Sequence, residues 1–423
     1  MHELTIDSLG FGGDGVGRLG GKVVFVPRAA PGDRVRVRVL RERKGFINAE
    51  LLEVLEPGAG RRTAPCALAD RCGGCPWQHV AERAQGEAKR RIVADALRRV
   101  APDVEVTMHA APEGLGYRRR TRLALHGDRL GYRAASSRDL IDVARCPALA
   151  PALDAALESL RAVLCGRGVV GSLSLLAGRD AAGLERVHAS LRVESGAAPR
   201  AQALCVGVVA GAVVEQRKRG DRERAGVERL DISLAAAEQS ASDAAPLWCS
   251  AEAFSQANAA QDAALRALVA EHLSEARPRR LLELHAGIGN LTRLAAAAAD
   301  EVIAVERSAA ACELLRDNCA GLAVEARCDD ALAACEALSA EGVAADVVLL
   351  DPPRSGCAEL CEVIEALAPR YVVYVSCDPM TLARDIARLP RYAVTRVDAL
   401  DMMPQTYHVE TIASLALREA RAR

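Results

Sequence analysis

From Trp248 onward the chain alternates short apolar runs with Ala-rich helical stretches, and no other feature restricts its possible folds as much. Strands alternating with helices form a parallel, doubly wound sheet, because parallel neighbours need a long crossover and a helix supplies it. The runs 280–284, 301–305, 346–350 and 371–375 read as buried strands of such a sheet. Open α/β sheets bind ligands beyond the carboxyl ends of their strands, so the residues just after each run are the candidates for chemistry.

Beyond the first run, His285-Ala286-Gly287-Ile288-Gly289-Asn290 reads as a tight glycine loop, followed by a helix over 291–299. A nucleotide-like ligand fits over such a loop. Glu306 ends the second run, where an acid can accept hydrogen bonds from both ribose hydroxyls. A dinucleotide site calls for G-x-G-x-x-G, but Thr292 stands three residues after Gly289, so an adenosyl-methionine site fits better. Asp351-Pro352-Pro353-Arg354 brings a carboxylate to the same edge, with a purely structural turn as the alternative. Ser376-Cys377-Asp378-Pro379 places a thiol there, where a thiolate can act as a covalent nucleophile, and Glu410 follows shortly after.

The first 56 residues show strand-like bursts at 3–9, 23–27, 34–40 and 48–55, separated by turns rich in Gly, Pro and Asp. They predict a small OB-like β-barrel, either binding nucleic acid or purely structural. Glycines crowd positions 10–21, which read as turns. The stretch 57–60 reads as a linker, 80–100 as a helix, and the rest up to about residue 245 as irregular αβ. Three domains are therefore expected, at 1–56, 57–245 and 246–423.

The chain has 423 residues, half of them hydrophobic, and lacks an apolar run long enough to span a bilayer, so a cytoplasmic monomer without a membrane partner is expected. A net charge of -1 argues against a uniformly basic nucleic-acid binder. Local clusters at Lys89-Arg90-Arg91, Arg98-Arg99, Arg118-Arg119-Arg120 with Arg122, and Arg217-Lys218-Arg219 are candidates for phosphate contacts, or else solvated surface. Of the 14 cysteines, nine (165, 205, 249, 312, 319, 328, 335, 357 and 361) sit in apolar or Ala-rich patterns and read as small hydrophobes. The set Cys66-x5-Cys72-x2-Cys75, on a loop with Gly73 and Gly74, and the remote Cys146 suit a [4Fe-4S] cluster or a four-cysteine zinc site.

Together these motifs resemble the RNA uracil-5-methyltransferase family, in its 23S ribosomal RNA branch with a TRAM domain and an iron-sulfur cluster. The resemblance spans nearly the whole chain. It implies a Rossmann-like class I methyltransferase domain of α/β class, preceded by the TRAM barrel and a central α+β iron-sulfur region. Cys66, Cys72, Cys75 and Cys146 fall on the family's four [4Fe-4S] ligands. Gln256 in Phe254-x-Gln256-x-Asn258, together with Asn290, Glu306, Asp330 and Asp351, falls on its S-adenosyl-L-methionine positions, and His285 on a further one. There His285 replaces the usual aromatic, and Ala286 the usual cysteine. Cys377 falls on the nucleophile and Glu410 on the base.

The implied chemistry is thiolate addition to carbon 6 of uracil, methylation at carbon 5, and removal of the carbon 5 proton. Amino-group methyltransferases carry an aromatic where Arg354 follows the two prolines, which argues against that rival. Radical methyl chemistry expects C-x3-C-x2-C rather than the x5 spacing seen here. The expected partner is RNA, 23S ribosomal RNA ahead of transfer RNA, and the rival from another class is a non-catalytic RNA-binding iron-sulfur protein.

Overall fold

The computed structural model describes residues 1–418 apart from 136, 219 and 234–244; Arg219 of the last basic cluster and the segment before the expected third domain thus lie outside the described residues. Period-two burial builds the N-terminal unit. Strands β1 (His2–Leu9), β2 (Gly15–Leu19), β3 (Lys22–Val26), β4 (Arg34–Glu42) and β5 (Phe46–Glu56) close into a barrel in the order β1-β2-β3-β5-β4. Leu4, Ile6, Val24, Val26, Val35, Val37 and Ile47 fill it. The glycine-rich stretch read as turns contains strand β2, a correction with a steric reason. A Cβ on Gly17 would lie 2.5 Å from the Thr5 carbonyl oxygen, and one on Gly15 2.9 Å from that of Ala29. Glycine there permits close strand approach rather than a turn.

The central region contains α1 (Glu82–Leu97), β6 (Val106–His109), β7 (Arg120–His126), β8 (Arg129–Arg133), β9 (Leu140–Asp142), α2 (Pro151–Leu164), β10 (Val170–Arg179), β11 (Glu185–Ser195), β12 (Val209–Gln216), β13 (Asp221–Gly226), β14 (Leu230–Asp231) and β15 (Trp248–Cys249). Seven of these strands form a path in the order β13-β12-β11-β10-β7-β8-β9, and Leu153, Leu157, Leu160 and Leu164 of α2 pack on it.

The C-terminal layers are α3 (Ala259–Ala276), β16 (Arg280–Leu284), α4 (Thr292–Ala298), β17 (Glu301–Glu306), α5 (Ala309–Asn318), β18 (Val324–Cys328), α6 (Ala331–Ala340), β19 (Val347–Leu350), α7 (Cys361–Leu367), β20 (Tyr371–Ser376), α8 (Pro379–Ile386), β21 (Tyr392–Leu400) and β22 (Glu410–Leu417). Strands β16 to β20 are parallel, and β22 inserts antiparallel between β20 and β21, giving the order β18-β17-β16-β19-β20-β22-β21-β6. This is the expected open α/β sheet. Its last strand comes from the central region: β6 runs parallel to β21, with α1 packed beside it.

One residue of the first basic cluster is not a surface feature, although Arg91 beside it is exposed. Lys89 is fully buried and pairs with Asp401, while its Nζ also donates to the Met403 carbonyl at 3.0 Å. Burial lowers the Lys89 pKa and raises that of Asp401, so desolvation opposes charge on both and mutual attraction holds it there. Lys89→Met would leave the Asp401 carboxylate buried without its cation. A loss of about 3–5 kcal/mol in urea-unfolding stability is expected, and a loss below about 1 kcal/mol would refute the pairing's importance.

Candidate active site

Two strand ends meet at the chemical edge of the sheet. Strand β20 stops at Ser376 because Asp378 caps α8, its Oδ1 accepting from the backbone N–H groups of Met380 and Thr381 at 2.9 and 3.1 Å, with Pro379 in the first helical turn. Cys377 is thereby held in the turn between strand and helix, half-buried. Ser376 pairs with Thr411 across the antiparallel ladder; Cys377 follows at once and Glu410 opens β22, near enough for the charge of Glu410 to act on the thiol. Asp351 follows β19, the neighbour of β20 on the other side. The three residues that the sequence places beyond separate runs therefore share one edge.

The loop leading to Glu410 is clamped from three sides. Trp77 donates from its backbone N–H to the Gln405 carbonyl at 2.9 Å and from its ring N–H to Gly13 of the barrel at 2.8 Å. Gln85 of α1 donates from its side-chain amide to Gln405 Oε1 at 2.9 Å, and Phe11 meets Tyr407 edge-on at 5.6 Å. Barrel, cysteine loop and α1 together fix where Glu410 begins its strand.

The electrostatics of this edge disfavour negative charge. Burial first and Glu410 second raise the Cys377 thiol to about 11, against the opposing charge of Arg354. Burial also raises Glu410 well above the usual carboxylate range, reinforced by Asp351 and opposed by Arg354. Asp351 itself is raised to about 7, by burial and then by Asp262. A raised thiol pKa leaves Cys377 protonated at neutral pH, with the thiolate fraction growing as pH climbs towards 11. Alkylation of Cys377 in the free protein is accordingly expected to accelerate roughly tenfold per pH unit above neutrality. At a pH high enough to ionise Glu410, Glu410→Gln removes a charge that raises the thiol pKa and should speed alkylation, whereas a slower rate would contradict this electrostatic reading.

The glycine loop carries the other expected residues. His285 adopts φ 65°, a left-handed conformation uncommon for a side-chain-bearing residue, and its Nε2 is buried without a partner. Burial lowers its pKa, so the imidazole is neutral at physiological pH. Gly287 has φ 59° and open space where a Cβ would be, leaving room for a ligand to lie against the loop. Both carboxylate oxygens of Glu306 accept backbone N–H groups, from Gly287 at 3.0 Å and Ser308 at 2.7 Å, and each keeps a lone pair for a further donor. Asn290 donates from Nδ2 to Asp262 Oδ1 at 2.8 Å, and its own Oδ1 has no partner. Asp330 is the exposed cap of α6, 4.0 Å from Arg307 and near enough to His285 for its charge to act on the imidazole. Gln256 is buried in a cleft of about 320 Å³ whose lining includes Arg118, Arg120, Arg122, Arg192 and the exposed Phe254.

Sequence reasoning passed over Asp262 and Arg119. Arg119, read as a phosphate contact or a solvated residue, is buried and pairs with Asp262 at 2.7 Å. The only sequence signal for Asp262 is its place in the first turn of α3, one turn beyond Asn258, whose side chain caps that helix.

The four cysteines of the expected ligand set lie near one another. Cys66, Cys72, Cys75 and Cys146 are near enough for their charges to influence one another, and burial is the main cause that raises the last three. Backbone N–H groups of Leu68 and Gly74 donate to the sulfurs of Cys66 and Cys72 at 3.4 Å each. Among the described residues, no three Cys, His, Asp or Glu side chains are grouped as ligands of a single ion. Of the nine filler cysteines, Cys328 departs from expectation, being exposed at the end of β18.

Residues 244–418 match the tRNA (Uracil-5-)-methyltransferase family model, and residues 2–52 match the TRAM domain. A protein of Chromohalobacter salexigens named 23S rRNA (uracil(1939)-C(5))-methyltransferase RlmD is 36% identical, over 99% of this chain and 90% of its own length. The chain belongs to the RNA uracil-5-methyltransferase family. A second member with that name, from Halomonas elongata, is 38% identical over 98% of this chain and 89% of its own. The crystal structure of the Pyrococcus abyssi tRNA (uracil-54, C5)-methyltransferase, in complex with S-adenosyl-L-homocysteine, superposes with a TM-score of 0.74 and 26% identity, covering 98% of this chain and all of that one. This uracil-5-methyltransferase is therefore similar in sequence to relatives named for ribosomal RNA and shares its architecture with one named for transfer RNA.

Proposed function

We propose that this protein methylates carbon 5 of a uridine in 23S ribosomal RNA, using S-adenosyl-L-methionine, in the cytoplasm. The observation that carries the proposal is the pairing of β20 with β22, which supports a thiol just after one strand working with the carboxyl that opens the other, at the carboxyl edge of an α/β sheet. Gln256, His285, Asn290, Glu306, Asp330 and Asp351 would hold the cofactor. The open face of Gly287 and the free lone pairs of Glu306 fit a nucleoside against the loop. Bound S-adenosyl-L-methionine supplies an electrophilic methyl group.

Cys377 acts as the nucleophile. Its thiolate forms a bond to carbon 6, pushing the π electrons of the ring onto the carbonyl oxygen and making carbon 5 nucleophilic towards the methyl. Glu410 then takes the carbon 5 proton; the released electron pair restores the ring double bond and expels the Cys377 thiolate. Arg354 offsets the negative charge gathered at this edge. The uridine has to leave its stack to reach Cys377. The arginine-lined cleft at Gln256, and a groove of about 1190 Å³ between the barrel, the cysteine loop and the central sheet, are suited to holding the flanking RNA.

Cys66, Cys72, Cys75 and Cys146 would hold a [4Fe-4S] cluster. In such a cluster each thiolate binds a different iron, so the thiols need not share one ion's coordination shell. The backbone donors to Cys66 and Cys72 suit charged sulfur. With all four irons ligated, the cluster's part is to tie the loop to the central sheet. Anaerobically purified protein should then contain about four irons per chain, lost in Cys75→Ser.

The named relatives favour 23S RNA, while the transfer-RNA enzyme's superposition supports that substrate as the second reading. The test is transfer of labelled methyl to unmodified ribosomal and transfer RNA, followed by nucleoside analysis. Label in 5-methyluridine from ribosomal RNA alone supports the first reading, and from transfer RNA alone the second. Label in a methylated amine, or none with either RNA, refutes the chemistry.

A further inference from the structure

Arg119 lies in the central region, just before β7 and outside the matched catalytic segment, yet two of its three side-chain partners, Gln256 and Asp262, lie within that segment. Nη2 pairs with Asp262 Oδ2 at 2.7 Å, Nε donates to the Gln256 carbonyl at 3.0 Å, and Nη1 donates to the Ile232 carbonyl at 2.6 Å. Its backbone N–H donates to Ala257 at 2.7 Å, while its carbonyl accepts from Ala177 of β10 at 2.8 Å. The residue therefore joins the central sheet to the segment carrying Gln256 through main chain and side chain alike. Asp262, held on one oxygen by Arg119, accepts on the other from Asn290 Nδ2 at 2.8 Å. A single guanidinium thus stands behind two of the residues expected to hold the cofactor.

The chemistry of this chain of contacts is specific. Asp262 is 5% exposed, and Arg119 is 7% exposed. An arginine fork satisfies a carboxylate and two carbonyls at once, which the point charge of lysine does not reproduce. With Asp262 fixed, the amide of Asn290 is fixed as well: Nδ2 is used as donor, so the acceptor Oδ1 is turned to the other side, where it has no protein partner. That is the arrangement required to receive a donor from a ligand.

We propose that Arg119 is a positioning residue for the cofactor site: the methyltransferase domain's pocket is completed by a residue of the RNA-binding region, through Arg119 to Asp262 to Asn290 and through Arg119 to the Gln256 backbone. This rests on the methyltransferase reading above. Because β7 also carries Arg120 and Arg122 into the cleft beside Gln256, the strand that contacts RNA and the residue that sets cofactor geometry are adjacent along the chain.

The experiment measures S-adenosyl-L-homocysteine binding by calorimetry on the full-length protein without RNA, comparing wild type with Arg119→Lys, Arg119→Met, Asn290→Ala and the Arg119→Met/Asn290→Ala double variant. Arg119→Met is expected to raise Kd about 10-fold or more, with Arg119→Lys intermediate. The double variant should be no weaker than the worse single one, since both substitutions break the same chain. In turnover, KM for S-adenosyl-L-methionine should rise while KM for RNA stays within about threefold. If Arg119→Met fails to fold, Asp262→Asn keeps the shape, removes the charge, and is expected to raise Kd in the same way. Unchanged cofactor Kd in any folded Arg119 or Asp262 variant, or additive effects with Asn290→Ala, would overturn the proposal. Failure of wild type itself to bind S-adenosyl-L-homocysteine would instead refute the methyltransferase reading on which it stands.

Discussion

Cys377→Ala is expected to abolish methyl transfer, by about 10⁴-fold or more, while leaving binding of RNA and cofactor nearly intact. The size of the loss follows from the substrate. Carbon 5 of uracil is too poor a nucleophile to take the methyl directly, and neither Glu410 nor Asp351 offers sulfur's reactivity towards carbon 6. Binding should survive because the residue is small and half-buried in a turn whose geometry is set by the Asp378 cap and Pro379. The assay is single-turnover transfer of labelled methyl alongside RNA affinity. Residual transfer within about tenfold of wild type would remove the thiol from the mechanism.

Glu410→Gln should fail at a later step. Adduct formation needs the thiol and methyl transfer needs the cofactor, but release requires a base for the carbon 5 proton. A denaturing gel is expected to show a protein–RNA adduct that accumulates with Glu410→Gln and is absent with Cys377→Ala, while turnover falls by roughly 10²–10⁴-fold. Gln preserves the shape, and removing a buried acid next to Asp351 relieves repulsion, so thermal stability should hold or rise. Turnover near the wild-type rate without adduct would reassign the base.

The sign of the pH dependence is tied to the same edge. Cys377, Glu410 and Asp351 all have folded-state pKa values raised mainly by burial, so each charged form is disfavoured relative to the unfolded chain. For the two acids this costs stability as pH rises past their unfolded values, since the unfolded chain releases those protons first. The edge is thus built for reactivity at the expense of stability, with Arg354 as partial compensation.

Much of this was legible in the sequence because it is local. Strand runs that are apolar on both faces, the glycine loop, the acid after 301–305 and the turn after 371–375 are each specified within a few residues, since backbone geometry and burial act over that range. The barrel strands followed from period-two alternation, except β2, where glycines serve strand packing and carry no alternation to read. What remained hidden involves partners far apart in sequence. Lys89 and Arg119 look like members of basic surface clusters, and only the fold reveals that their neighbours are Asp401 and Asp262. Strand β6 carries no mark that it completes a sheet whose other strands begin at residue 280, because β pairing is decided by which edge is free after collapse.

The sequence by itself therefore determined the kind of sheet, the edge where chemistry belongs, and the identities of the thiol and acid at that edge. Tertiary structure alone decided that Cys377 comes within reach of the charge of Glu410 and that Asn290 of the glycine loop leans, through Asp262, on an arginine of the central region. The reason is physical: strand and turn propensities act through adjacent residues, whereas a buried charge has to find its counter-charge wherever the packed chain brings one.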